Sequence, residues 1–184
     1  MRFGPRVKPQ SLKDLVRSIP DFPKPGIVFR DVTTLICHGE GFAAAVEHLS
    51  EIVEQSEGHA VAGIEARGFI FGAAVAARLA LPFIPIRKAG KLPVPTLAAD
   101  YALEYGSDRL EIDPDAVSQG QSVTLIDDLI ATGGTAGAAV DLIRRAGGVV
   151  ERAVFVIDLP DLGGAARLAA KGFTVQALMA FSGN

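Results

Sequence analysis

"SVTLIDDLIATGGTAGAA", residues 122–139, runs from an apolar segment through two adjacent acids into a loop of small residues. Residues 123–126 have the branched, apolar character of a buried strand. Residues 134–146 read as a helix that ends at Gly147 and Gly148. A helix N-terminus offers unpaired backbone N–H groups and the positive end of the helix dipole. Ala131, Thr132, Gly133, Gly134 and Thr135 therefore read as a cradle for a phosphate. The glycines let the backbone close around a tetrahedral anion, and the threonine hydroxyls add donors. Asp127 and Asp128 would repel a phosphate bound beside them. The two features agree if the ligand is a sugar phosphate: the loop holds the 5-phosphate, and the acids accept hydrogen bonds from ribose hydroxyls. A divalent cation can lie between the charges.

Working outward, strands alternate with helices at βαβ spacing. "HAVAGIE" (residues 59–65), "PFIPIR" (82–87), "SVTLID" (122–127), "VVERAVFVIDL" (149–159) and "FTVQALM" (173–179) are nearly all apolar. Between them, "GFIFGAAVAARLA" (68–80) and "LGGAARLAAK" (162–171) read as helices. "EGFAAAVEHLSEIVEQ" (40–55) repeats Phe42, Val46, Leu49 and Val53 at helical spacing. This pattern predicts an α/β fold with a parallel twisted sheet flanked by helices on both faces. In such sheets ligands bind beyond the carboxyl ends of the strands. Four polar clusters fall there: Glu65 with Arg67, Arg87 with Lys88 and Lys91, Asp127 with Asp128, and Asp158. They are expected to converge on one crevice. Residues 88–108 read as a long loop plus part of a hairpin, "YALEYGSDRLEI", turning near Gly106 and Ser107. Near the N-terminus, Ser11 with Asp14 reads as a capped start to a short helix, and "PDFPKPGIVFRD" (residues 20–31) as a proline-rich loop.

Composition narrows the function. With 184 residues the chain is expected to form one domain, and 49% apolar content is ample for a packed core. A net charge of −3 does not favour nucleic acid as a partner. Cys37 is the only cysteine, so neither an internal disulfide nor a thiolate metal cage can form. A reducing cytoplasm is the simplest setting, and the N-terminus lacks the apolar core of a signal peptide. The most membrane-like stretch, residues 68–86, contains Arg78, Pro82 and Pro85 and reads as helix then strand, not a span. His38, His48 and His59 have no ligand spacing and read as surface or cap residues. The G-x-x-x-x-G-K-[ST] motif is missing, and "GEGFAA" (39–44) only grazes a dinucleotide fingerprint.

"VTLIDDLIATGGTA" (residues 123–136) resembles the phosphoribosyl pyrophosphate (PRPP) signature of type I phosphoribosyltransferases. Four further blocks resemble the adenine-using branch of that family: "PDFPKPGIVFRDVTTLI" its base-binding segment, "GIEARGFIFG" its pyrophosphate loop, and "IRKAGKLP" and "YALEYG" the two sides of its mobile hood loop. They stand in the family's order and cover roughly residues 11–160.

The resemblance implies a Rossmann-like domain over residues 1–184, with a small N-terminal hood over about residues 1–38 and a flexible β-hairpin loop. It implies transfer of the 5-phosphoribosyl group of PRPP to adenine, giving AMP and pyrophosphate in purine salvage. Asp127 and Asp128 would then hold the ribose hydroxyls, and Ala131, Thr132, Gly133, Gly134 and Thr135 the 5-phosphate. Glu65, Ala66, Arg67 and Gly68, around a strained non-proline peptide bond, would contact pyrophosphate. Arg87, Lys88 and Lys91 would join them, in part from a neighbouring subunit. Val28, Phe29 and Arg30 would bind adenine. Glu104 would handle the proton that adenine loses, and Arg67 would serve catalysis directly. Mg²⁺ would be held mainly by PRPP, without a metal site in the protein. A homodimer in the cytoplasm, with no nucleic-acid or membrane partner, completes the implied picture. Two alternatives stay open: a transferase for another base, and a PRPP-binding regulator without turnover. The second usually carries a DNA-binding segment, for which the residues before the first helix are too few.

Overall fold

The computed structural model describes residues 9–56, 59–102 and 107–183. Seven strands form the main sheet: β3 (Ala60–Ile64), β4 (Phe83–Lys88), β5 (Leu97–Ala102), β6 (Ser107–Ile112), β7 (Ser122–Ile130), β8 (Val149–Asp158) and β9 (Thr174–Ala180). Their order is β5-β6-β4-β3-β7-β8-β9. The stretch from β4 to β9 is parallel, whereas β5 and β6 form an antiparallel hairpin added at the β4 edge. The chain order reverses between β3 and β7, so the crevice at their carboxyl ends is the topological switch point where such sheets bind ligands.

Both sheet faces are covered, which explains strands that are apolar on both sides. On one face Val61 and Ile126 pack with Leu49 and Val53 of α3 (Gly39–Glu54) and Phe71 and Val75 of α4 (Arg67–Leu79). On the other, Ala62 and Leu125 pack with Val140 and Ile143 of α5 (Gly134–Arg145) and Leu168 of α6 (Gly164–Ala169). His48 is buried in α3, unlike its surface assignment, while His38 caps that helix by accepting from the Gly41 amide at 3.0 Å.

The N-terminal segment departs from the expected capped helix. A single turn, α1 (Pro9–Leu12), passes into a 3-10 turn, and Arg17–Pro20 becomes β1. β1 pairs antiparallel with β2 (Val28–Asp31), so pairing outweighs the local helical pattern. Between them the proline-rich loop is ordered by a Gly26 amide donating to Asp21 Oδ1 at 2.8 Å and by an edge-on Phe22–Phe29 contact at 5.3 Å. A short α2 (Thr33–Cys37), not anticipated, leads into α3. β7 continues through both acids to Ile130, because its pairing with β8 runs from Asp127↔Phe155 to Ile130↔Asp158. The hairpin starts earlier than "YALEYG", at Leu97, and its turn lies outside the described residues.

Candidate functional site

At the switch point lies a crevice of about 270 Å³. Its walls come from the turn between β3 and α4 (Glu65, Ala66, Arg67), from β7 and the segment after it (Asp127, Asp128 and residues 129–136), and from Lys88, Tyr101 and Asp108 on the hairpin side. Three of the four expected clusters thus meet. Asp158 does not line the crevice: it sits farther along the sheet, at the end of β8, where burial raises its pKa.

Asp128 is 5% exposed. Burial raises its pKa, against the pull of Arg67. Arg67 Nε stands 3.0 Å from Asp128 Oδ2, near enough for an ion pair, yet that oxygen has no hydrogen-bond donor among the described residues. Asp127 is raised well above the usual carboxylate range, by burial first and then by the charge of Asp128. Its Oδ1 accepts from the Asp128 amide at 2.9 Å. Gly68, at the start of α4, is what permits this approach of helix and strand: a Cβ there would lie 2.6 Å from Asp127 Oδ1. Among the described residues no three His, Cys, Asp or Glu side chains converge as a metal cluster.

Downstream, Gly133 adopts φ +82°, a left-handed conformation that favours glycine, and forms the N-cap of α5. The first turn of α5 thus opens onto the crevice with amides that have no intrahelical acceptor. At the opposite end, the Glu65–Ala66 peptide is cis. Glu65 faces Arg87 at 3.0 Å and the Lys88 amide at 2.9 Å, and these hydrogen bonds hold its carboxyl below the usual range.

The basic cluster divides. Arg87 is committed to Glu65 and lies over the Phe69 ring, Lys91 is exposed, and neither lines the crevice. Lys88 does: its ammonium donates to Tyr101 at 2.8 Å and to Asp108, and these contacts raise its pKa despite the opposing effect of burial. Of the base-binding candidates, Phe29 reaches the site, its ring 5.6 Å from the Arg67 guanidinium. Val28 is half-buried beside it on β2. Arg30 turns away, donating to Ser18 Oγ at 2.6 Å and to the Gly183 carbonyl at 3.0 Å, while Asp31 pairs with Arg17. Glu104 lies outside the described residues.

The family model for the phosphoribosyl transferase domain matches residues 34–174. An adenine phosphoribosyltransferase of Novosphingobium aromaticivorans is 64% identical over 94% of this chain and 97% of its own length. The chain belongs to the adenine phosphoribosyltransferase family. A second member, from Parvibaculum lavamentivorans, is 58% identical over 94% of this chain and 99% of its own. Among solved structures, the adenine phosphoribosyltransferase of Thermoanaerobacter pseudethanolicus superposes with a TM-score of 0.89 at 43% identity, covering 95% of this chain and 100% of that one. The Saccharomyces cerevisiae enzyme, crystallised with an imino-altritol bisphosphate and adenine, gives 0.86 at 36% identity, covering 93% and 98%. The expected type I phosphoribosyltransferase fold is thereby established.

Two further groups were not anticipated from the sequence, one lining the crevice and one behind its loop. Tyr101 and Asp108 clasp Lys88 from the two strands of the hairpin, where Asp108 pairs opposite Tyr101. Their cross-strand register was the available signal, but it could be used only once the hairpin start was known. The other group, Gly164 and Arg167, stands behind the small-residue loop.

Proposed function

We propose that this crevice joins adenine to PRPP, releasing pyrophosphate and leaving AMP, as a purine-salvage step. The observation that carries the residue assignment is the juxtaposition of a buried Asp128 Oδ2 that lacks a donor with an amide-rich loop beginning at Ala131. A ligand that carries hydroxyl donors next to a phosphate answers both.

In this reading Asp127 and Asp128 accept the ribose 2- and 3-hydroxyls. Burial makes both carboxylates seek donors, and substrate hydroxyls supply them without a counter-ion having to enter. Residues 131–135 hold the 5-phosphate. As the C1′–O bond loosens, charge grows on the departing pyrophosphate, and Arg67 and Lys88 are fixed beside it before reaction. Ala66 and Gly68 complete that end, and Arg87 and Lys91 act through the loop and a neighbouring subunit. Phe29 walls the adenine ring, Val28 supports it, Arg30 holds the strand in place, and Glu104 receives the proton that adenine loses. Mg²⁺ would be held mainly by PRPP, leaving Asp127 and Asp128 to the ribose hydroxyls. When bound, Mg²⁺ neutralises diphosphate charge. We assign the chain to the cytoplasm and to a homodimer; among the described residues no helix is long and apolar enough to cross a membrane.

The test is to incubate the protein with Mg²⁺, PRPP and each of adenine, hypoxanthine, guanine, xanthine and orotate, following nucleotide formation. AMP should form, with hypoxanthine a far poorer substrate because its edge donors and acceptors are reversed. Equal turnover of another base would overturn the adenine assignment. PRPP binding with no turnover would support a regulator.

A further inference from the structure

We propose that Gly164 and Arg167 are positioning residues for the 5-phosphate loop, setting the direction of its amides from behind. This deepens the reading of residues 131–135 as a phosphate cradle and rests on it. The Gly164 amide donates to the Ala131 carbonyl at 3.1 Å, and Arg167 Nε donates to the Thr132 carbonyl at 2.9 Å. In a planar trans peptide the C=O of one residue and the N–H of the next point in opposite directions. Pinning the carbonyls of Ala131 and Thr132 onto α6 therefore turns the amides of Thr132 and Gly133 away from α6. Ala131, Thr132 and Gly133 all line the crevice on the other side.

The contact is tight enough to set position as well as direction. A Cβ at Gly164 would lie 2.2 Å from the Ala131 carbonyl oxygen and 2.8 Å from the Gly133 nitrogen. A Cβ at Gly133 would in turn lie 3.1 Å from the Gly164 carbonyl oxygen. Here the neighbours are backbone, which cannot swing aside as a side chain can. Arg167 also donates to the Leu162 carbonyl, so its guanidinium forks across the cradle and the turn preceding α6. A single ammonium cannot reproduce that planar fork.

The test is calorimetric binding of AMP and of adenosine, which lacks the phosphate, to wild type, Gly164→Ala, Arg167→Ala and Arg167→Lys, with Tm measured alongside. Wild type should prefer AMP. Gly164→Ala and Arg167→Ala should each weaken AMP about tenfold, the scale of one charge-assisted hydrogen bond, and leave adenosine unchanged. Arg167→Lys should recover little, because it restores the charge without the fork. If wild type binds adenosine as tightly as AMP, the phosphate-cradle reading itself falls and takes this proposal with it. If wild type prefers AMP and both alanine variants keep that preference, the proposal alone is overturned. Equal losses for AMP and adenosine would show general loosening, and rescue by lysine would assign the effect to charge; either result also overturns it.

Discussion

Arg67 Nε lies 3.0 Å from Asp128 Oδ2, and the same guanidinium sits 5.6 Å from the centre of the Phe29 ring. One side chain therefore touches both the acid we propose for the ribose and the ring we propose as the wall of the base site. Asp128→Asn keeps the shape but removes the charged acceptor. It should lower kcat/KM for PRPP about 10- to 100-fold, the scale of a charged hydrogen bond, with adenine affinity little changed. Arg67→Ala should lower kcat about 10²- to 10³-fold, as loss of a donor to developing negative charge does. It should also lower Tm more than Asp128→Asn does, because it leaves a buried carboxylate without its cation. Steady-state kinetics in both substrates and thermal melts check this. Equal loss for adenine and PRPP in Asp128→Asn would contradict the ribose assignment.

Gly68 brings the start of α4 against β7. An alanine Cβ would meet Asp127 Oδ1 at 2.6 Å and the Ile126 carbonyl oxygen at 3.1 Å. The strand backbone cannot yield, so the carboxylate must rotate or the helix must shift, at a cost of about 1–3 kcal/mol. Gly68→Ala should therefore raise KM for PRPP and lower Tm together, whereas Gly39→Ala, which has open space at its Cβ position in α3, should leave KM unchanged and not lower Tm. Parallel melts and kinetics on the two variants decide it.

These two cases show which parts were legible in the sequence. The acid pair and the loop after it carry their chemistry in local order, and the buried strands announce themselves by being apolar on both faces. The crevice followed from placing polar clusters at strand ends, which worked for Arg67, Lys88 and Asp128. Asp158 breaks the rule because β8 lies beyond the switch point. The short helix expected from Ser11 stops before Arg17, because pairing with Val28–Asp31 makes Arg17–Pro20 a strand. The contacts of Gly164 and Arg167 with Ala131 and Thr132 were invisible in the sequence, because a glycine packed on a distant carbonyl leaves no local pattern.

Asp31 gives the β1–β2 pair a pH dependence of definite sign. The Thr33 side chain and the Arg17 guanidinium, 2.5 Å away, lower its pKa from 3.8 to about 2. A depressed folded-state pKa means that the unfolded chain binds more protons in that window. The stabilisation is complete above the ordinary value and is lost as pH falls through the folded one. Asp31→Asn should accordingly lower Tm most at neutral pH, with the gap to wild type narrowing below about pH 4. Because β2 carries Val28 and Phe29, KM for adenine should rise at the same time. A Tm gap that stays constant down to acid pH would refute the assignment.

The segment after β9 ties β2 to the main sheet. The Phe181 amide donates to the Asp158 carbonyl at 3.0 Å, and the buried Phe181 ring receives the Arg30 guanidinium at 4.7 Å and the Lys13 ammonium at 4.6 Å. Arg30 reaches on to the Gly183 carbonyl, whose own amide is held by Asp161 at 2.8 Å. Arg30 thus works as a strut that fixes β2 against the core, and its effect on the proposed adenine site is expected to run through Val28 and Phe29. Phe181→Ala removes the surface on which both cations rest, a loss of about 0.5–2 kcal/mol per cation–π contact. KM for adenine should rise several-fold while KM for PRPP stays within twofold, and Phe181→Tyr, which keeps the ring face, should restore most of the difference. If Phe181→Ala raised both KM values alike, the C-terminal contact would be stabilising the whole fold and not the base site.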